Sequence, residues 1–173
     1  MSELEGRLNK DTVFYNVGAR WGIFSLFAME CGVPGDSIHD FEADQYNFKI
    51  LEKNHLGADV NINHCFVGNE DTEDTIRLDS YCRENTLPDI VKIDVEGAEY
   101  NVIQGGEDTL SKSRPELYIE MHPGQILDGK QQDIISELRN TGYDIEVKRL
   151  GPLLKMLLSQ RKGIIWYMQN KLE

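Results

Sequence analysis

The chain has 173 residues, 40% hydrophobic and 28% charged, enough to bury one full core and short for two, so residues 1–173 read as a single domain. A net charge of −12 argues against a general nucleic-acid surface, and no run of about 18 apolar residues offers a membrane span. Cys31, Cys65 and Cys82 match no metal-binding spacing and read as reduced thiols, which together with the polar start MSELEGRLNK suggests a cytoplasmic protein without a targeting peptide.

The charge is uneven. Residues 148–173 carry six lysines and arginines against Glu173, a net of +5, which leaves −17 on residues 1–147. Such an acidic excess reads as a solvated surface.

Residues 1–11 form a lead-in, and the apolar run of residues 13–17 predicts a buried strand. It enters the turn Gly18-Ala19-Arg20-Trp21-Gly22, and a helix is expected over 21–31. Gly18 permits a tight turn and Gly22 a close approach. A spacing of G-x-x-x-G lacks the middle glycine of the dinucleotide fingerprint, yet still suits the amino-acid end of a nucleoside-like cofactor. Arg20 and Trp21 are candidates to face the cleft. "GVPGD" at 32–36 breaks the chain before a second strand over 37–43. Its acid, Glu42, follows Gly18 by 24 residues, where a carboxylate can accept both hydroxyls of a ribose. A nicotinamide cofactor and S-adenosylmethionine both satisfy that pattern.

Asp44 reads as the N-cap of a helix over 44–57. Residues 58–68 alternate as one strand whose end, Gly68, reaches the ligand edge, and 69–75 read as a polar loop. A strand over 89–95, a helix over 99–112, a strand over 115–123, a helix over 130–142 and strands at 143–149 and 163–168 complete the chain. Strands alternating with helices predict a mostly parallel, doubly wound α/β sheet. The last two strands lack an obvious helix between them and are expected to form an antiparallel edge. The apolar, basic-ended segment 150–163 suits a packed edge helix, with a lid, a dimer contact or a weak membrane-surface helix as alternatives.

Ligands in such sheets bind outside the carboxyl ends of the strands. That rule singles out Asp94 and the pair Glu120 and His122, which share one strand face. Asp94 is placed to touch cofactor and substrate. His122 is a candidate general base, with Glu120 orienting it. These three also make a conceivable divalent-cation set, but no metal is assigned.

"KIDVEGAE" at 92–99, "IEMHP" at 119–123 and "LDSYCRE" at 78–84 together resemble the FkbM-type S-adenosylmethionine-dependent methyltransferases. The similarity covers roughly residues 12–123. It implies a Rossmann-like class I methyltransferase fold, S-adenosylmethionine as cofactor, and O-methylation of a hydroxyl on a sugar, polyketide or lipid-linked glycan. The cofactor would be held by Asn16, Gly18, Ala19, Gly22, Glu42, Gly68 and Asp94. The sequence departs from the family pattern at Asn16, where the family has aspartate, at Arg20, where it has asparagine, and at Ala43, where it has proline. Restoring aspartate at 16 is therefore expected to tighten cofactor binding or leave it unchanged. Two rivals stand beside this reading. One is a methyltransferase-like scaffold that has lost turnover. The other is a nicotinamide-dependent oxidoreductase, disfavoured by the missing G-x-G-x-x-G.

Overall fold

Short apolar runs bounded by polar turns become the strands of the computed structural model, which describes residues 2–121, 131–150 and 162–168. In chain order they are β1 (Phe14–Val17), β2 (Ile38–Phe41), β3 (Asn61–Asn63), β4 (Phe66–Gly68), β5 (Thr75–Arg77), β6 (Ile90–Ile93), β7 (Glu116–Met121), β8 (Asp144–Leu150) and β9 (Lys162–Met168). The helices are α1 (Ser2–Glu5), α2 (Ile23–Glu30), α3 (Gln45–Asn54), α4 (Leu78–Tyr81), α5 (Glu99–Gly105), α6 (Glu107–Lys112) and α7 (Gln131–Asn140).

Seven strands form one sheet in the order β3-β2-β1-β6-β7-β9-β8. Period-two alternation sends β1, β2, β6 and β7 side chains to two cores. Phe14, Ile38, Ile90 and Tyr118 pack with Leu4, Leu8 and Ala28 on one face. On the other, Tyr15, Phe41, Ile93 and Ile119 pack with Val102, Leu110, Ile134 and Leu138 from α5, α6 and α7. Strand order reverses between β1 and β6, which opens a crevice at their carboxyl ends.

Three expectations change. The edge is parallel: β9 lies between β7 and β8 and runs parallel to both. A parallel pair needs a crossover of about a dozen residues, and the interval between Leu150 and Lys162 provides that length. The segment 150–163 otherwise lies largely outside the described residues.

The single strand over 58–68 is two. β3 joins the main sheet, whereas β4 pairs with β5 in a separate two-stranded parallel sheet. The polar loop between them is folded by Asp71, which accepts from the Arg77 N–H at 2.7 Å and the Ser80 hydroxyl at 2.6 Å. These bonds, the backbone one foremost, hold the Asp71 carboxyl below its usual range.

The helix over 99–112 is likewise divided, between α5 and α6. Asp79, almost fully buried, accepts from the Thr109 and Asp108 N–H groups at 2.8 and 3.2 Å and so starts α6 afresh. Asp44 caps α3 as expected, through the N–H groups of Tyr46 and Asn47.

Candidate functional site

Parallel register builds the site in rungs. Phe14, Ile38, Ile90 and Glu116 lie side by side, and Asn16, Asp40, Lys92 and Tyr118 form a row two residues farther along. Continuing the same register two residues brings Gly18, Glu42, Asp94 and Glu120 to one edge. The apolar trio Phe14, Ile38 and Ile90 thus underlies a buried polar row, and that row supports an acidic rim with a glycine gap.

The gap has a steric cause. Gly18 adopts φ +77°, and a methyl group there would lie 1.9 Å from the Asp94 carbonyl oxygen. The turn therefore passes directly over the end of β6, held by the Gly18 and Ala19 N–H groups on the Phe41 carbonyl at 3.0 and 2.9 Å. Arg20 also has a positive φ, 54°, and its N–H donates to Glu42 Oε2 at 2.7 Å. The other oxygen of Glu42 accepts from the Asp44 N–H at 2.8 Å. Glu42 thereby ties the turn to the start of α3 and keeps its remaining lone pairs for a ligand.

Beside it opens a cleft of about 650 Å³. Gly18, Glu42 and Asp94 line it, as do Arg20, Asp44, Phe66 and Glu96. Glu96 sits at φ 51° and Gly97 at 117°, a left-handed corner of the kind that gathers at ligand sites. Cys65 also lines the cleft, and burial pushes its thiol up to about 11. That burial favours the thiol over the reactive thiolate.

The other expected cofactor residues are placed differently. Asn16, Ala19, Gly22 and Gly68 are not on the cleft wall. Gly68 is closely packed: a methyl there would meet Thr75 Cγ2 at 2.8 Å, and its carbonyl oxygen would lie 1.8 Å from a methyl at Gly105 of α5. Gly22 abuts α3, where a methyl would meet His55 Nε2 at 2.4 Å and Leu51 at 2.7 Å. Asn16 is fully buried, and its amide donates to Ser25 at 2.9 Å and to Asp40 at 3.1 Å. The Ser25 hydroxyl donates to the same Asp40 oxygen. His55 Nε2 lies 2.9 Å from the second oxygen, with both side chains fully buried.

Three donors thus surround one carboxylate beneath the turn. Sequence reading left Asp40 and His55 without a role, because only the pairing of β2 with β1 and the return of α3 bring them to Asn16. Lys92, also buried, bonds Asp94 at 3.3 Å and lies 4.6 Å above the Phe24 ring. Among the candidate catalytic residues, Asp94 is on the cleft and Glu120 is one strand over on the same face. His122 lies outside the described residues.

Residues 66–145 match the methyltransferase FkbM domain. The chain is 41% identical over 59 residues to the 2-O-methyltransferase NoeI of Sinorhizobium fredii (strain NBRC 101917 / NGR234), a match spanning 33% of this chain and 24% of that protein. Its fold is similar to that of methyltransferase FkbM from Methylobacillus flagellatus KT, with a TM-score of 0.63 at 17% identity over 78% of this chain and 38% of that structure. Over residues 66–145 the chain is therefore similar to the FkbM methyltransferases. The family match contains the KIDVEGAE segment, whose Asp94, Glu96 and Ala98 line the cleft. It begins at β4, so the glycine turn and Glu42 precede it. The chain spans well under half the length of both relatives.

Proposed function

We infer that this chain binds S-adenosylmethionine in the cleft and transfers its methyl group to a hydroxyl oxygen of a small molecule or glycan. The observation that carries this reading is the charge of the cleft. Glu42, Asp44, Asp94 and Glu96 line it, with Arg20 as the one cation of the lining among the described residues. A cation about 4 Å from one such carboxylate gains about 4 kcal/mol of Coulomb energy near a protein surface, before desolvation. The sulfonium and ammonium groups of S-adenosylmethionine suit that field. A dinucleotide pyrophosphate would be repelled by it, and so the oxidoreductase alternative recedes.

When bound, the cofactor supplies an electrophilic methyl group on a cationic sulfur. Glu42 is assigned the ribose hydroxyls through the lone pairs its two backbone donors leave over. Asp94, bonded to Lys92, would serve the reacting end. The cleft residues would align an acceptor oxygen with that methyl group, and alignment supplies much of the rate of such a transfer. The hydroxyl proton is assigned to His122, with Glu120 orienting it. The acceptor classes favoured are sugar, polyketide and lipid-linked glycan hydroxyls, and the 2-O-methyltransferase relative supports an oxygen acceptor.

Calorimetry with S-adenosylhomocysteine and with NADH tests this directly. Binding of the first and not the second is expected, and the reverse would overturn the assignment. Glu42→Ala should weaken S-adenosylhomocysteine by about 1.5–3 kcal/mol, the scale of hydrogen bonds to a charged group. Unchanged affinity would remove Glu42 from the ribose. With a working acceptor, His122→Ala should lower kcat about a hundredfold or more while cofactor affinity holds. Full activity in that variant would show that alignment alone suffices.

A further inference from the structure

We propose that Arg20 binds the carboxylate at the amino-acid end of the cofactor and thereby selects cofactor forms that retain that end. This rests on the cofactor reading above. The argument begins with charge. An S-adenosyl ligand carries an ammonium and a carboxylate on its methionine portion. Four cleft carboxylates can serve the first and would repel the second. The carboxylate needs a cation, and Arg20 is the one that lines the cleft among the described residues. Lys92 does not compete, because its ammonium is buried behind Asp94 and already bonded to it.

Geometry makes Arg20 more than a passing surface charge. Its backbone is held in the left-handed region at φ 54°, with its N–H on Glu42. Its guanidinium carbon lies 4.8 Å from the centroid of the Trp21 ring. Trp21 is fixed in turn by its indole N–H on Asn47 at 2.9 Å, and by the Asn54 amide on its carbonyl at 2.8 Å. That cation–π contact restrains the guanidinium, whose fork of donors matches a carboxylate. The guanidinium makes no ion pair with the described residues, despite the carboxylates around the cleft. Its donors lie beside a cleft whose lining offers no other cation among the described residues.

Two ligands separate this role from every other. S-Adenosylhomocysteine carries the amino-acid end, and 5′-methylthioadenosine keeps the ribose and adenine but lacks it. Calorimetry of both, on the full chain and its Arg20→Ala and Arg20→Lys variants, reads the interaction. Arg20→Ala should weaken S-adenosylhomocysteine about 10- to 100-fold, the range for a charge-assisted contact. Binding of 5′-methylthioadenosine should change less than about twofold, and Arg20→Lys should recover part of the loss as a point charge without the fork. Equal losses for both ligands would mean that the substitution disturbs the turn, and would overturn the proposal. Unchanged S-adenosylhomocysteine affinity with a raised KM for an acidic acceptor would also overturn it, by moving the carboxylate to the substrate. If wild type binds neither ligand, the cofactor reading fails first and this inference with it. Glu42→Ala supplies the internal contrast, because it should weaken both ligands alike.

Discussion

Gly18→Ala is expected to destabilise the chain by about 3 kcal/mol or more and to abolish cofactor binding. Two costs add. A non-glycine residue at φ +77° pays about 1–2 kcal/mol for the left-handed conformation, and overpacking adds about 1–3 kcal/mol. The second cost is hard to relax, because the new methyl group would meet the Asp94 carbonyl oxygen at 1.9 Å and its carbon at 2.8 Å. Both atoms are main chain, at the end of a central strand. Relief requires the turn to lift from β6, which pulls the cleft open and takes Arg20 and Glu42 out of register with Asp94. Gly32→Ala is the control: its φ is +97°, but nothing lies within 4 Å of the added methyl. Urea unfolding of the two variants isolates the steric share, given similar m-values. A loss for Gly18→Ala no larger than that for Gly32→Ala would sink this account.

Asn16→Asp is expected to destabilise the chain by about 3 kcal/mol at neutral pH, the scale of an uncompensated buried charge. The family pattern bears on cofactor binding, which it leaves tightened or unchanged; the buried surroundings of Asn16 add this expectation about stability. Asn16 lies fully buried with its amide 3.1 Å from Asp40. Aspartate there would replace a donor with a second carboxylate against the first. Protonating one member of such a pair relieves the repulsion. The shared proton is held more tightly in the folded state, so the deficit relative to wild type should shrink as pH falls and be largest above neutrality. The double variant Asn16→Asp with Asp40→Asn returns one carboxylate and one amide to the row. It should recover most of the stability lost by Asn16→Asp, and thermal melts across pH read both effects. A single variant as stable as wild type would show that Asp40 is not the anion beneath the turn.

Much of the scaffold was readable from local chemistry. Alternation and chain breaks marked β1, β2, β6 and β7, and Asp44 marked the start of α3, because those signals act over a few residues. Glu42 and Asp94 were also visible in the sequence as acids ending strands, and in a parallel sheet all strands end at the same edge. The edge strands were not readable in direction. β9 runs parallel to β7 and β8, and its direction depends on the path of the connection rather than on the strands themselves.

The residues around the turn divide on the same principle. Gly18 and Gly22 could be recognised as turn glycines, but not their neighbours. Sequence spacing cannot show that Gly18 rests on the Asp94 carbonyl while Gly22 rests on His55. Nor could it show that Gly68 and Gly105 touch, or that Asp40 sets a buried carboxylate against Asn16. The sequence by itself determined which residues carry charge and which elements they end. Tertiary structure decided which of those charges meet, because register and helix return bring together side chains that are distant along the chain.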